Sequence, residues 1–340
     1  MKKRALSLLL AVLLLGAAAL ALAGCGPNTL LLVTDQSKEA VEQLVAPYAE
    51  KSGVQVEVVQ VDGVEELLLA AGVSDQRGGQ DTATPAAAGP VADLLLTQDL
   101  YAVAALRMSR ALAQYAPPNA SGLPSGARGQ GYWYGFGGRG WVLARNTDLA
   151  PNEKLTDSFD DLADDALPAK SVGIPNLQNF SYYPLAIYTF WGQQETLAFY
   201  QTLLFKEAQI NISPEGVANM LADGRLALGL TTYANAKQKK DAGAPVEFGF
   251  PDNQQGEIGS FVALNCVALP AASKRQEQAQ ALEDYLLSPE AEALSIQLGL
   301  SDVAMRENDL GAPVVRPIAV APDKVVASAQ SAESMLRQLR

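Results

Sequence analysis

Without a histidine among its 340 residues, the chain has no imidazole for a Ser-His-Asp triad, a Cys-His pair or an HExxH zinc site. Its two thiols, Cys25 and Cys266, are too few for a four-cysteine zinc site or a disulfide framework. No G-x-S-x-G and no Walker A stretch is present. The acid pairs Asp160-Asp161 and Asp164-Asp165 share one acidic stretch and read as solvated charge. We therefore expect no enzyme, no resident metal and no cofactor. The net charge of −12 lacks the basic footprint that a nucleic-acid partner demands.

One thiol does stand in a reactive setting. Lys2, Lys3 and Arg4 precede a run from Ala5 to Gly24 without a charged residue, which closes on Leu22-Ala23-Gly24-Cys25. This looks like a bacterial lipoprotein signal with its lipobox. The small residues fit a narrow peptidase site, and the Cys25 thiol can take a diacylglyceryl thioether before cleavage. About 20 apolar residues can also span a bilayer, so an uncleaved anchor is the alternative. Cleavage before Cys25 removes three basic residues and deepens the negative charge. Acyl chains on Cys25 would hold the body on the extracytoplasmic face of the cell membrane. Cys266 lies in the strand-like run Phe261 to Leu269 and reads as a buried, inert thiol.

The elements behind this leader alternate. Leu30 to Val33 is an apolar run suited to a buried strand. Lys38 to Lys51 carries Val41, Leu44, Val45 and Tyr48 at helical spacing, and Val54 to Val61 alternates as a second strand. Val64 to Ala71 restarts a helix, Ser74 to Pro90 reads as a surface loop, and Val91 to Thr97 is another strand. A Pro/Gly/Ser-rich stretch, Pro117 to Gly131, then leads to Trp133-Tyr134-Gly135-Phe136-Gly137-Gly138 and the apolar run Trp141 to Ala144, where we place a domain crossing. A second unit follows. It has strands at Ser171 to Ile174 and Leu226 to Leu230, and helices at Tyr182 to Trp191, Glu195 to Phe205 and Ala234 to Ala242. Another helix opens at Ser213-Pro214-Glu215. Phe261 to Leu269 returns as a strand, before helices at Ser273 to Leu287 and Ser288 to Leu298. This alternation implies an α/β protein with a largely parallel sheet.

The order of these pieces resembles the solute-binding proteins of ABC importers, in the branch that includes ferric-ion-binding proteins. The resemblance is carried by Leu31 to Val59, by Ala92-Asp93-Leu94-Leu95-Leu96-Thr97 and by Trp133 to Asp148. It continues through Asp223-Gly224-Arg225 to Asn235, Gly243-Ala244-Pro245-Val246 with Phe250-Pro251-Asp252, and Asp284 to Ala291. Each stretch is weak alone; their order behind a lipobox is the signal. The resemblance implies an α/β, two-lobed, periplasmic-binding-protein-like fold of type II, with mixed sheets flanked by helices and a strand hinge. It implies a signal peptide at 1–24, a lipidated tether at 25–29, a first lobe of 30–138 plus 259–306, and a second of 139–258 plus 307–340. It also implies a monomer that captures a small solute between the lobes and passes it to an ABC permease in the membrane.

In such folds ligands sit at the carboxyl ends of strands, where helix N-termini present free N–H groups. That places Asp35, Gln36 and Ser37 in one turn and Gln98 in a second. Asn176, Gln178 and Asn179 fall in a third, Thr231, Thr232, Tyr233 and Asn235 in a fourth, and Ser213 at a further helix start. Helix capping is the alternative role for each. In the ferric branch the first turn carries a His, where Ser37 stands; the second carries a Glu, where Gln98 stands. Two adjacent Tyr of the fourth turn are replaced by Ala234 and Asn235, with Tyr233 one residue early. A neutral set fits an organic or anionic solute better than iron. Relatives that bind phosphonate-type solutes share Gly229-Leu230-Thr231 and Gly243 to Val246, but their acidic residues after the Thr are missing here. Arg139, beside Gly137, Gly138 and Gly140, could meet an anion or pair with a carboxylate. A ferric-iron receptor and a ligand-sensing lipoprotein without transport remain the alternatives.

Overall fold

The computed structural model describes residues 28–73, 91–175 and 182–337. Cys25, the leader, the Ser74 to Pro90 stretch, and Asn176, Gln178 and Asn179 lie outside the described residues.

Strand β1 (Thr29–Thr34) is buried along its whole length, as a central strand covered on both faces must be. It lies parallel to β2 (Gln55–Gln60) on one side and β3 (Leu94–Thr97) on the other. Helix α1 (Lys38–Ser52) makes the first crossover and buries Val41, Leu44, Val45 and Tyr48, the stripe its sequence spacing predicts. Ser37 caps its start, and Gly53, in the left-handed conformation, ends it. Helices α2 (Val64–Ala70) and α3 (Leu100–Met108) follow, the latter capped by Asp99.

Strand β4 (Trp133–Asn146) joins the two halves of the molecule. Its first part pairs antiparallel with β9 (Val262–Ala268), which also pairs with β3. Its second part pairs with β7 (Leu228–Thr232) and with β8 (Val246–Gly249). Next to β7 lie β5 (Val172–Pro175) and β6 (Gln209–Ile212), both parallel. Among the described residues the strand order is β2-β1-β3-β9-β4-β7-β5-β6, with β8 on β4. The register of β4 against β9 shifts between Phe136 and Gly138. There Gly137 and Gly138 take φ of 51° and 146°. A Cβ on Gly138 would stand 2.4 Å from Ala263 O, so only glycine fits this bend.

Each half has its own core. Leu32, Leu44, Leu95, Trp133, Phe136 and Leu282 pack in the first. In the second, successive residues of β4 face opposite ways: Leu143 packs with Phe159, Phe199 and Leu228, and Val142 with Val217, Leu226 and Ala236. Helices α4 (Tyr182–Trp191) and α5 (Gln193–Phe205) cover one face, α6 (Pro214–Ala222) and α7 (Tyr233–Asp241) the other. Helices α8 (Gln276–Leu286) and α9 (Pro289–Gln297) return to the first half. The C-terminal helix α10 (Pro322–Arg337) packs on both halves. Asp323 pairs with Arg107 of α3 at 2.9 Å, and Ser328 meets Thr189 of α4 at 2.7 Å. Trp133 and Tyr134, at the start of β4, are buried in the first core.

Candidate functional site

The β1–α1 and β3–α3 turns meet through one carboxylate. Asp35 follows the last residue of β1, and its Oδ2 accepts from the Thr97 hydroxyl at 2.5 Å. The Gln98 backbone N–H donates to both of its oxygens, at 3.2 and 3.3 Å. Burial pushes the Asp35 carboxyl above its ordinary range, against the lowering effect of these two donors. The Gln98 side chain carries the connection onward. Its Nε2 donates to Asn265 Oδ1 (2.9 Å) and to Leu300 O (3.2 Å). Asn265 Nδ2 in turn donates to Ser301 Oγ at 2.8 Å, which shares a hydrogen bond with Ser295. These bonds lock β1, β3, β9 and the segment after α9 into one frame.

That frame borders a cavity of about 430 Å³. Asp35, Gln36, Ser37, Ala40 and Gln98 line one side; Arg139 of β4 and Leu298, Gly299 and Leu300 complete it. Gln36 is only 9% exposed, and its Nε2 is buried without a hydrogen-bond partner. Its backbone N–H is already committed to Thr34 Oγ1. A buried, unpaired donor is costly, which marks the Gln36 amide as the site's unspent capacity. Ser37 accepts from the Ala40 N–H and donates to Glu39, so it acts here as a cap. Arg139 is exposed, donates from Nη2 to Gly299 O at 2.7 Å, and forms no ion pair among the described residues.

The second half's polar residues lie apart from this cavity. Thr232 caps α7 by accepting from the Asn235 N–H, and Ser213 caps α6 by accepting from the Gly216 N–H. Thr231 is buried and donates to Pro214 O at 2.6 Å. Tyr233 stacks on Phe250 and meets Phe248 edge-on, both at 5.6 Å. Burial raises its phenol above the ordinary value, opposed by Lys237 and assisted by Asp302. Asp302 links the regions electrostatically. Its Oδ1 accepts from Gly140 N–H at 2.7 Å, and its Oδ2 is buried and unpartnered. Burial raises its pKa against the pull of that N–H and of Arg139.

The first-half turns named from sequence thus meet in one cavity, while in the second half Thr232 and Ser213 cap helices, Thr231 bonds to Pro214 O and Tyr233 packs on Phe248 and Phe250. Asn265, Asp302 and the Leu298–Leu300 segment were not among the candidates. Asn265, an amide inside the apolar run Phe261 to Leu269, was the one legible sign. Among the described residues no cluster of His, Cys, Asp and Glu is arranged to hold a metal ion.

The family model for bacterial extracellular solute-binding proteins matches residues 43–306. The chain belongs to this family. Family membership makes it a solute-binding protein of ABC transport, working outside the cytoplasm. Solved structures share its two-lobed α/β fold. Iron-bound HitA from Pseudomonas aeruginosa is 22% identical with a TM-score of 0.65, covering 92% of this chain and 99% of that one. A Trichodesmium IdiA (FutA) structure with iron and citrate has 14% identity and a TM-score of 0.72, covering 92% and 99%. An open ferric iron-binding protein A from Mannheimia haemolytica has 15% and 0.71, covering 92% and 98%. At these identities the likeness establishes the fold of this solute-binding protein. No curated protein sequence matches the chain significantly. No helix among the described residues is long and apolar enough to cross a membrane.

Proposed function

We propose that this protein is a monomeric, lipid-anchored receptor that captures a small polar organic solute between two lobes and presents it to its permease. The observation that carries this reading is the cavity at the ends of β1 and β3. Its walls are fixed by the Asp35–Gln98–Asn265 network, yet the buried Gln36 donor is left unpaired. A site rigid in frame and unsatisfied in one donor is preorganised for a ligand acceptor. We assign the lobes to 30–138 plus 259–306 and to 139–258 plus 307–340, with α10 spanning both. Closure bends β4 near Gly137 and Gly138 and carries the turn of Thr231, Thr232, Tyr233 and Asn235 toward the cavity. Solute binding favours closure because only the closed form contacts it from both lobes.

Native mass spectrometry of the purified protein, before and after incubation with cell extract, tests the reading. A retained organic mass that narrows the scattering profile on binding is the expected result. No retained mass under either condition would remove the reading. For the anchor, a Cys25→Ser chain should leave the membrane fraction; if it stays there, thioether lipidation is excluded.

Ferric iron is the competing cargo, favoured by the cargo of the structural neighbours. Tyr233 is the one phenol of the Thr231 to Asn235 turn; it packs on Phe248 and Phe250, and no cluster of His, Cys, Asp and Glu among the described residues is arranged to complete a metal site. A visible charge-transfer band on adding ferric citrate would restore iron.

A further inference from the structure

We propose that the cavity takes a small zwitterion, its oxyanion held by Arg139 and Gln36 and its ammonium group by Asp35 and Gln98. This inference rests on the solute-receptor reading above and narrows its substrate class.

The lining holds one cation and one carboxylate, Arg139 and Asp35, and they do not pair with each other. On the donor side, Gln36 Nε2 is buried and unpartnered, and Arg139 spends one hydrogen bond on Gly299 O. Guanidinium carries five N–H donors, so capacity remains for a bidentate oxyanion. On the acceptor side, Gln98 commits its Nε2 to Asn265 and Leu300, which leaves Oε1 as the free end of that amide. Asp35 accepts from Thr97 and Gln98, and a carboxylate offers about four lone-pair sites, so it still has acceptor capacity.

A simple anion would satisfy Arg139 and Gln36 but stand against Asp35. A simple cation would satisfy Asp35 but stand against Arg139. A molecule carrying both charges on a short spacer meets each wall with its complement. The volume of about 430 Å³ accommodates such a molecule with room for bridging water. The bond from Arg139 Nη2 to Gly299 O holds the guanidinium at the cavity edge.

Calorimetry on the purified protein separates the cases. The probes are β-alanine, taurine and 2-aminoethylphosphonate, their amine-free partners propionate, ethanesulfonate and ethylphosphonate, and ethylamine as the acid-free partner. At least one zwitterion should bind about tenfold tighter than both of its partners, and the three head groups show whether the oxyanion is carboxylate, sulfonate or phosphonate. Arg139→Gln should weaken that zwitterion by about tenfold or more and strengthen rather than weaken ethylamine, because it removes the like charge facing the amine. Gln36→Leu should weaken it while keeping or raising the melting temperature of the empty protein, because it deletes an unpaired buried donor. Arg139 is exposed, so its variant tests the inference even where Gln36→Leu fails to fold. An amine-free acid binding as tightly as its zwitterion, or ethylamine binding alone, overturns the inference and leaves the receptor reading in place; ferric citrate binding alone overturns the inference and replaces the organic cargo with iron. Failure of every probe together with no solute retained from cell extract overturns both.

Discussion

At the ends of β1 and β3 the polar side chains hold one another; at the ends of β6 and β7 they hold the helix that follows. Asp35 accepts from Thr97 and Gln98, two residues of another turn. Thr232 and Ser213 accept from N–H groups three residues ahead in their own turns. The residue types are nearly the same. Cross-turn bonding builds a wall with fixed spacing, and it leaves Gln36 unsatisfied. Local capping satisfies the helix end and leaves little over. On the proposed reading, one half of the cleft is a formed site, and the other is a cover that acquires contacts when the lobes close.

The strongest way to break this division is at the strand that separates the halves. Gly138→Val places a Cβ 2.4 Å from Ala263 O at a positive φ of 146°. We expect a loss of roughly 3 kcal/mol or more in urea unfolding, from backbone strain plus overpacking. Gly243→Ala is the control in the second half: its φ is 82°, but nothing lies within 4 Å of the added Cβ. It should cost about 1 kcal/mol through φ alone.

Next in size is a matched pair of truncations. Asp35→Ala strips the acceptor from the Thr97 hydroxyl and the Gln98 N–H, and should cost about 2–3 kcal/mol and abolish solute binding. Thr232→Ala removes a single cap and should cost about 1 kcal/mol. Equal losses from the two would erase the distinction between wall and cover. Denaturant melts and calorimetry on both variants decide it.

How much of this was legible follows from which interactions are local. Helix α1 reads almost to the residue, because Ser37, the Val41-Leu44-Val45-Tyr48 stripe and Gly53 all lie within one segment. Strands β6 (Gln209–Ile212) and β8 (Val246–Gly249) escape notice because they alternate apolar with polar or small residues over only four positions, whereas the equally short β3 (Leu94–Thr97) carries a continuous apolar run. Helix α10 hides because its buried face uses Val325, Ala329, Ala332 and Met335 among small polar residues, with weak apolar contrast. In the site, the turns of Ser37 and Gln98 are visible as strand-to-helix junctions. Their partners are not: Gln98 reaches Asn265 and Leu300 across 167 and 202 residues of sequence. No pattern in a single chain encodes such a meeting.

A buried acid in the first half sharpens the comparison by separating stability from binding. Glu283 of α8 is 2% exposed, with Oε2 unpartnered, and burial together with Asp284 holds its carboxyl well above the ordinary value of 4.5. The folded state therefore binds this proton more tightly than the unfolded one. Stability should fall as pH rises from that ordinary value through the raised one. Glu283→Gln removes this penalty. We expect it to raise stability by on the order of 1 kcal/mol near pH 8, with the gain vanishing near pH 4, and to leave solute affinity unchanged. Urea melts at the two pH values check the slope. A gain that grows toward low pH would mean the carboxyl is held ionised instead.

The smallest effect belongs to Asn235. Its backbone N–H is the one Thr232 caps, and its side chain is half-buried at the start of α7. Asn235→Ala should leave stability within about 0.5 kcal/mol, since no cap is lost. If closure brings this turn onto the solute, the missing amide weakens affinity about threefold to tenfold, the scale of one neutral hydrogen bond. The loss should fall on the dissociation rate, because the cover engages after the solute has met the first-half wall. Stopped-flow binding separates the two rates. Unchanged rates would confine the β7–α7 turn to capping and leave the first-half cavity as the whole of the site.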